Sequence, residues 1–66
     1  MQIYINGVER QIPDQTTMQV LVETLNLGDQ RFAIEVNEEL VPRSAFDAHL
    51  LSPGDRIEVV QAIGGG

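Results

Sequence analysis

The chain contains no cysteine, so no disulfide and no thiolate zinc site can staple its fold. Lysine is missing as well, and all four basic residues are arginine. No ε-amine is present to serve as a Schiff base, a phosphate clamp or an acceptor in a conjugation reaction. Basic charge is scarce beside ten Asp or Glu residues, and the net charge is −6. A chain of that sign repels phosphate backbones and carries no basic stripe to offset the repulsion. Nucleic acid is therefore not an expected partner, whereas partners with basic surfaces are attracted. No apolar run approaches the ~20 residues of a membrane span. The opening Met1-Gln2-Ile3-Tyr4 lacks the basic start and apolar stretch of a secretion signal. A soluble cytoplasmic protein with no membrane association, monomeric when free, is expected.

What is there is enough for a modest core. Hydrophobic residues make up 42% of the 66 positions, too many for a disordered acidic tail and sufficient for one small domain. That domain is expected over residues 1–63, followed by a flexible glycine tail at 64–66.

The first twelve residues read as a hairpin. Ile3 and Ile5 alternate with polar neighbours, and Asn6-Gly7 is the strongest two-residue turn signal. This turn sets Ile5 opposite Val8, Tyr4 opposite Glu9 and Arg10 opposite Ile3. Thr16 with Gln19 matches a capping box ahead of a helical stripe of Met18, Leu21, Val22 and Leu25. Leu27-Gly28-Asp29 supplies the stop. A strand through Phe32, Ile34 and Val36 leads into an Asn37-Glu38-Glu39 turn and a short strand at Leu40-Val41, which Pro42 confines to a sheet edge or end. Ser44 with Asp47 is expected to cap a brief helical turn that carries Phe46 and Leu50 inward. Ser52-Pro53-Gly54-Asp55 is a tight turn. The last strand starts at Arg56 and runs to about Ile63, with Ile57 and Val59 facing the core.

The order is β-β-α-β-β-short helix-β. It points to an α+β roll with a mixed sheet of four to five strands and one main helix on one face. The open face would carry Tyr4, Glu9, Glu58 and Val60.

Chemistry is sparse. His49 is the only histidine and is expected to be structural. The hydroxyls of Thr16, Thr17, Thr24, Ser44 and Ser52 fit capping and turn roles. Glu38-Glu39 lacks the further ligands a metal requires, so no metal site is expected. No catalytic group of the chain's own and no bound cofactor are expected. The remaining reactive group is the terminal carboxylate of Gly66. Three extended glycines reach ~10 Å beyond the sheet and thread where side chains cannot. Ordering them costs roughly 3–6 kcal/mol, so the body must also dock on a partner. Tyr4, Val60 and Ala62 on the open face are the expected docking residues, with Gly64 and Gly65 threading into the partner's site.

Three stretches give the chain a family likeness: Met1-Gln2-Ile3 at the start, "AIEVNEELVPR" from Ala33 to Arg43, and "SPGDRIEVVQAIGGG" from Ser52 to Gly66. With the overall length and strand order, these resemble the ThiS family of sulfur carriers, which have the ubiquitin-like β-grasp fold. The likeness spans nearly the whole chain; Gly64 stands where relatives often have Ala. It implies that a ThiF-like adenylating enzyme uses MgATP to form an acyl-adenylate on Gly66. Sulfur drawn from cysteine by a desulfurase, or from another donor, would then give a C-terminal thiocarboxylate for a ThiG-like thiazole synthase in thiamin biosynthesis. The alternatives are a carrier for molybdopterin synthesis or tRNA thiolation on the same fold, and a β-grasp interaction module that carries no sulfur.

Overall fold

The computed structural model describes residues 1–27 and 31–61. Their elements are β1 (Gln2–Ile5), β2 (Val8–Gln11), α1 (Met18–Leu25), β3 (Phe32–Val36), β4 (Glu39–Val41), a 3₁₀ turn at Arg43–Ala45, and β5 (Arg56–Gln61). The five strands form one sheet in the order β2-β1-β5-β3-β4. Strand β5 lies in the centre, parallel to β1 and antiparallel to β3. A mixed five-stranded sheet with one helix is the expected β-grasp roll.

Turn chemistry sets both hairpins. Asn6 and Gly7 take φ 49° and 82°, the paired left-handed values that match the twist of the flanking strands. The resulting register is the expected one, with Ile5 facing Val8, Tyr4 facing Glu9 and Ile3 facing Arg10. The second hairpin turns on Asn37 and Glu38, with φ 51° and 71°. Because this turn has only two residues, Val36 pairs directly with Glu39. Strand β4 therefore begins one residue before the expected Leu40. It forms one edge of the sheet, as Pro42 requires.

The helix keeps its expected stripe and loses its expected cap. Met18 and Leu21 are buried, and Val22 and Leu25 pack against them half-buried. The cap is Thr17, whose Oγ1 accepts the Val20 N–H at 3.2 Å. The Thr16 hydroxyl instead donates to the Pro13 carbonyl at 2.6 Å. The first two helical N–H groups are met from the loop before β5: Met18 donates to the His49 carbonyl and Gln19 to that of Phe46. The helix ends at Asn26, left-handed at φ 55°, with its N–H bonded to the Glu23 carbonyl. That residue supplies the stop expected from Leu27-Gly28-Asp29; Gly28 and Asp29 lie outside the described residues.

The segment after β4 departs from expectation in two places. The Ser44–Asp47 cap is not made, since Pro42 occupies the N-cap position of the 3₁₀ turn with no side-chain bond. Phe46 is buried as expected, but Leu50 is 57% exposed while Leu51 is buried. The cause is a backbone bridge between Thr17 and Leu50, flanked by the Leu51 N–H bond to the Thr16 carbonyl. Extended chain alternates its side chains, so one leucine turns in and its neighbour out.

The core fills the space between α1 and one sheet face. Ile3, Met18, Ile34 and Ile57 are completely enclosed, each contributing about 1.5–3 kcal/mol of burial. Val36, Val41 and Phe46 extend the core toward β4.

Candidate functional site

Strand β5 leads to the glycine tail, and the fold holds it from both sides. Val36, Ile34 and Phe32 of β3 lie opposite Ile57, Val59 and Gln61 along its whole described length. The β1 side is shorter, because β1 turns away at Asn6. There Asn6 donates its N–H to the Ile57 carbonyl, and its side-chain Oδ1 accepts the Val59 N–H at 2.9 Å. One turn residue thus carries the parallel ladder a step past the end of its strand.

Asn37 does the corresponding work at the start of β5. Its N–H donates to the Arg56 carbonyl, and its Oδ1 accepts the Arg56 N–H at 3.0 Å. Its Nδ2 donates to Asp55 Oδ1 at 3.1 Å. Asp55 is itself buried, and its Oδ2 accepts the Ser52 N–H at 2.8 Å, closing the expected Ser52–Asp55 turn. Left-handed Gly54 at φ 84° follows Pro53 in that turn, the arrangement of a type II turn. Sequence reading found both asparagines as turn residues and missed them as clamps on β5. The available signal was asparagine at a left-handed position beside a strand end, where a short amide can reach neighbouring backbone.

The strand registers place one set of side chains on the sheet face away from α1. Glu9 stands opposite Tyr4, and Tyr4 beside Arg56. Glu58 stands opposite Glu35, Val60 opposite Ala33, and Leu40 opposite Glu35 from the other side. Tyr4 is half-buried, with its hydroxyl oxygen accepting from Gln2 Nε2 at 2.9 Å. Val60 and Leu40 are 51% and 67% exposed. Tyr4 and Val60 therefore share the open face as expected. Leu40, Glu35 and Ala33 belong to that face too and were not anticipated.

Elsewhere the described residues offer little reactivity. No group of three or more His, Asp or Glu side chains could hold a metal. His49 is half-buried and serves the helix through its carbonyl. The Thr24 hydroxyl donates to the Val20 carbonyl, so all three threonine hydroxyls have local backbone roles. Arg43 lies 4.4 Å from the ring centre of Phe32, which stacks on Phe46. This cation–π contact attaches the 3₁₀ turn to β3 at the end where β5 finishes. No helix among the described residues is long and apolar enough to cross a membrane. Ala62 and Gly64 to Gly66 lie outside the described residues.

Comparison with known proteins gives consistent matches. The ThiS family model matches residues 3–66. Sulfur carrier protein ThiS of Escherichia coli is 33% identical over 66 residues, covering all of both chains. A thiazole synthase of Paramagnetospirillum magneticum is 36% identical over 66 residues, all of this chain and 20% of that protein. The chain thus spans about a fifth of the thiazole synthases it matches, a second of which comes from Magnetococcus marinus. Among solved structures, the crystal structure of the thiamine biosynthesis protein ThiS from Geobacter metallireducens superposes with a TM-score of 0.86, at 28% identity and full coverage of both chains. Matched by the family model from residue 3 to residue 66, and superposing on a ThiS structure over its full length, the chain belongs to the ThiS family.

Proposed function

We propose that this chain is a sulfur carrier for thiazole formation in thiamin biosynthesis, a protein co-substrate rather than a catalyst. The observation that carries the reading is the end-to-end match with the Escherichia coli sulfur carrier protein, in which all 66 residues of both chains align. The carboxylate of Gly66 is the reacting group. Its oxygen attacks the α-phosphorus of MgATP held by a ThiF-like adenylating enzyme, and pyrophosphate leaves. The acyl-adenylate is an activated electrophile where the free carboxylate is not. Sulfur drawn from cysteine, carried as a desulfurase persulfide or by another donor of the same oxidation level, attacks the acyl carbon through its terminal sulfur, and AMP leaves with the bonding electrons. A thiol reductant then supplies two electrons to cleave the resulting acyl disulfide. The product is a thiocarboxylate on Gly66.

The chain's own residues deliver that group. Gly64 and Gly65 have no side chain to obstruct a narrow channel. The clamped strand β5 leads into the tail, and the open face with Tyr4 and Val60, together with Ala62 just beyond Val60 in sequence, docks the body on the enzyme. Ordering the tail costs roughly 3–6 kcal/mol, which the body contacts offset. A ThiG-like thiazole synthase accepts the sulfur. Support for that partner comes from Paramagnetospirillum magneticum, where a segment matching this whole chain lies within a protein named thiazole synthase.

Exchange of labelled pyrophosphate into ATP tests the activation step. With the ThiF-like enzyme present, exchange should require this chain and vanish when Gly66 is deleted. Exchange that proceeds equally with the truncated chain would refute the assignment of Gly66.

A further inference from the structure

Antiparallel pairing of β3 with β5 sets Glu35 directly opposite Glu58 on the open face. The Asn37 N–H bond to the Arg56 carbonyl, two residues from Glu35 and from Glu58, makes this a hydrogen-bonded pair of positions. Its Cα atoms are therefore about 5.5 Å apart. Like charges facing each other across strands destabilise a sheet, by roughly 0.2–1 kcal/mol in the range of such pairs. Arg56 is diagonal to Glu35 and two residues from Glu58, yet no ion pair joins it to either among the described residues. The two carboxylates are flanked by exposed apolar groups, Val60 on β5 and Leu40 on β4.

Among the described residues, nothing covers this sheet face, which has an apolar rim and two carboxylates without an ion-pair partner at its middle. Any protein that covers Val60 and Leu40 also removes Glu35 and Glu58 from water. Buried carboxylates are tolerated only when paired and hydrogen-bonded. The occupant must bring a cation, and a guanidinium is the group whose planar fork can bond two neighbouring carboxylates at once. A second copy of this chain is a poor occupant, since its net charge of −6 repels its own kind.

We propose that the adenylating partner reads this face through a basic side chain, an arginine, seated between Glu35 and Glu58. This rests on the sulfur-carrier reading above and adds the chemistry by which the partner is chosen. The pair is a recognition device that the free protein retains at a cost to its own stability. Removing the charges therefore has opposite effects on folding and on docking, which a merely structural role would not produce.

The test compares the wild-type chain with the double variant E35Q/E58Q, using the purified ThiF-like enzyme from the same genome with MgATP. Expected for the variant are an unchanged or raised melting temperature and an apparent KM in pyrophosphate exchange at least about tenfold higher. Its kcat at saturation should match wild type, and its dependence on salt should be flatter. Wild-type KM and salt dependence in a folded E35Q/E58Q chain would overturn the proposal while leaving the carrier reading intact. Failure of the wild-type chain to support exchange at all would refute the carrier reading, and this inference with it. Sedimentation of the free chain as a dimer that E35Q/E58Q abolishes would also overturn it, by assigning the face to self-association.

Discussion

Asn6 accepts the Val59 N–H on its side-chain Oδ1 at 2.9 Å, across 53 positions of sequence. The same residue holds the left-handed first position of the β1–β2 turn. One side chain thereby sets the direction of the first hairpin and fixes the strand that leads to the tail. The substitution N6G keeps the backbone freedom and removes the acceptor. It should lower stability by about 0.5–1.5 kcal/mol, the range for one such bond. N6D, which retains an oxygen acceptor, should recover most of the loss. Urea denaturation of both variants checks the assignment; wild-type stability in N6G would show that the bond contributes nothing.

Glu38 occupies the second left-handed position of the β3–β4 turn at φ 71°, where a side chain strains the backbone and glycine does not. E38G should therefore raise stability by about 0.5–1 kcal/mol, net of glycine's entropic cost. A fall in the thermal midpoint would mean that the Glu38 side chain makes a compensating contact.

The helix cap separates two readings of neighbouring threonines. T17A removes the acceptor for the Val20 N–H and should cost about 1 kcal/mol. Q19A should cost less than about 0.5 kcal/mol, because Gln19 is not part of a capping box. Its side chain donates instead to Glu23 Oε2 on the exposed helix surface. Equal losses in the two variants would restore the box centred on Thr16.

Much of this fold was legible because short-range rules decide it. Asn6-Gly7 and the alternation of Ile3 and Ile5 fixed one hairpin register completely, and the 3.6-residue stripe placed α1. The failures share a cause: they depend on segments distant in sequence. Thr16 and Thr17 are adjacent and equally suited to capping. The bridge from Thr17 to Leu50 selects between them and also turns Leu50 outward in favour of Leu51. Likewise, nothing local to Asn37 announces that its amide will meet Arg56 and Asp55. Of the candidate site, Tyr4 and Val60 could be placed by counting strand alternation. Leu40 and Glu35 emerged only once β4 and β3 were set beside β5.

Val60 tests the docking face directly. It is 51% exposed and opposite Ala33, so V60D should leave the chain folded at a cost of about 1 kcal/mol, from an Asp in a strand beside Glu35 and Glu58. Binding to the adenylating enzyme, measured by calorimetry, should weaken at least tenfold, by about 1.4 kcal/mol or more. Unaltered affinity would move the docking surface off this face.

One atom on Gly66 decides whether this chain carries sulfur. The intact mass of the chain should be recorded after incubation with the ThiF-like enzyme, MgATP, cysteine, a desulfurase and a thiol reductant. A gain equal to the difference between sulfur and oxygen, confined to the C-terminal peptide and absent without ATP, is the predicted result. An unchanged mass, with the same enzymes loading another ThiS family protein in parallel, would contradict it.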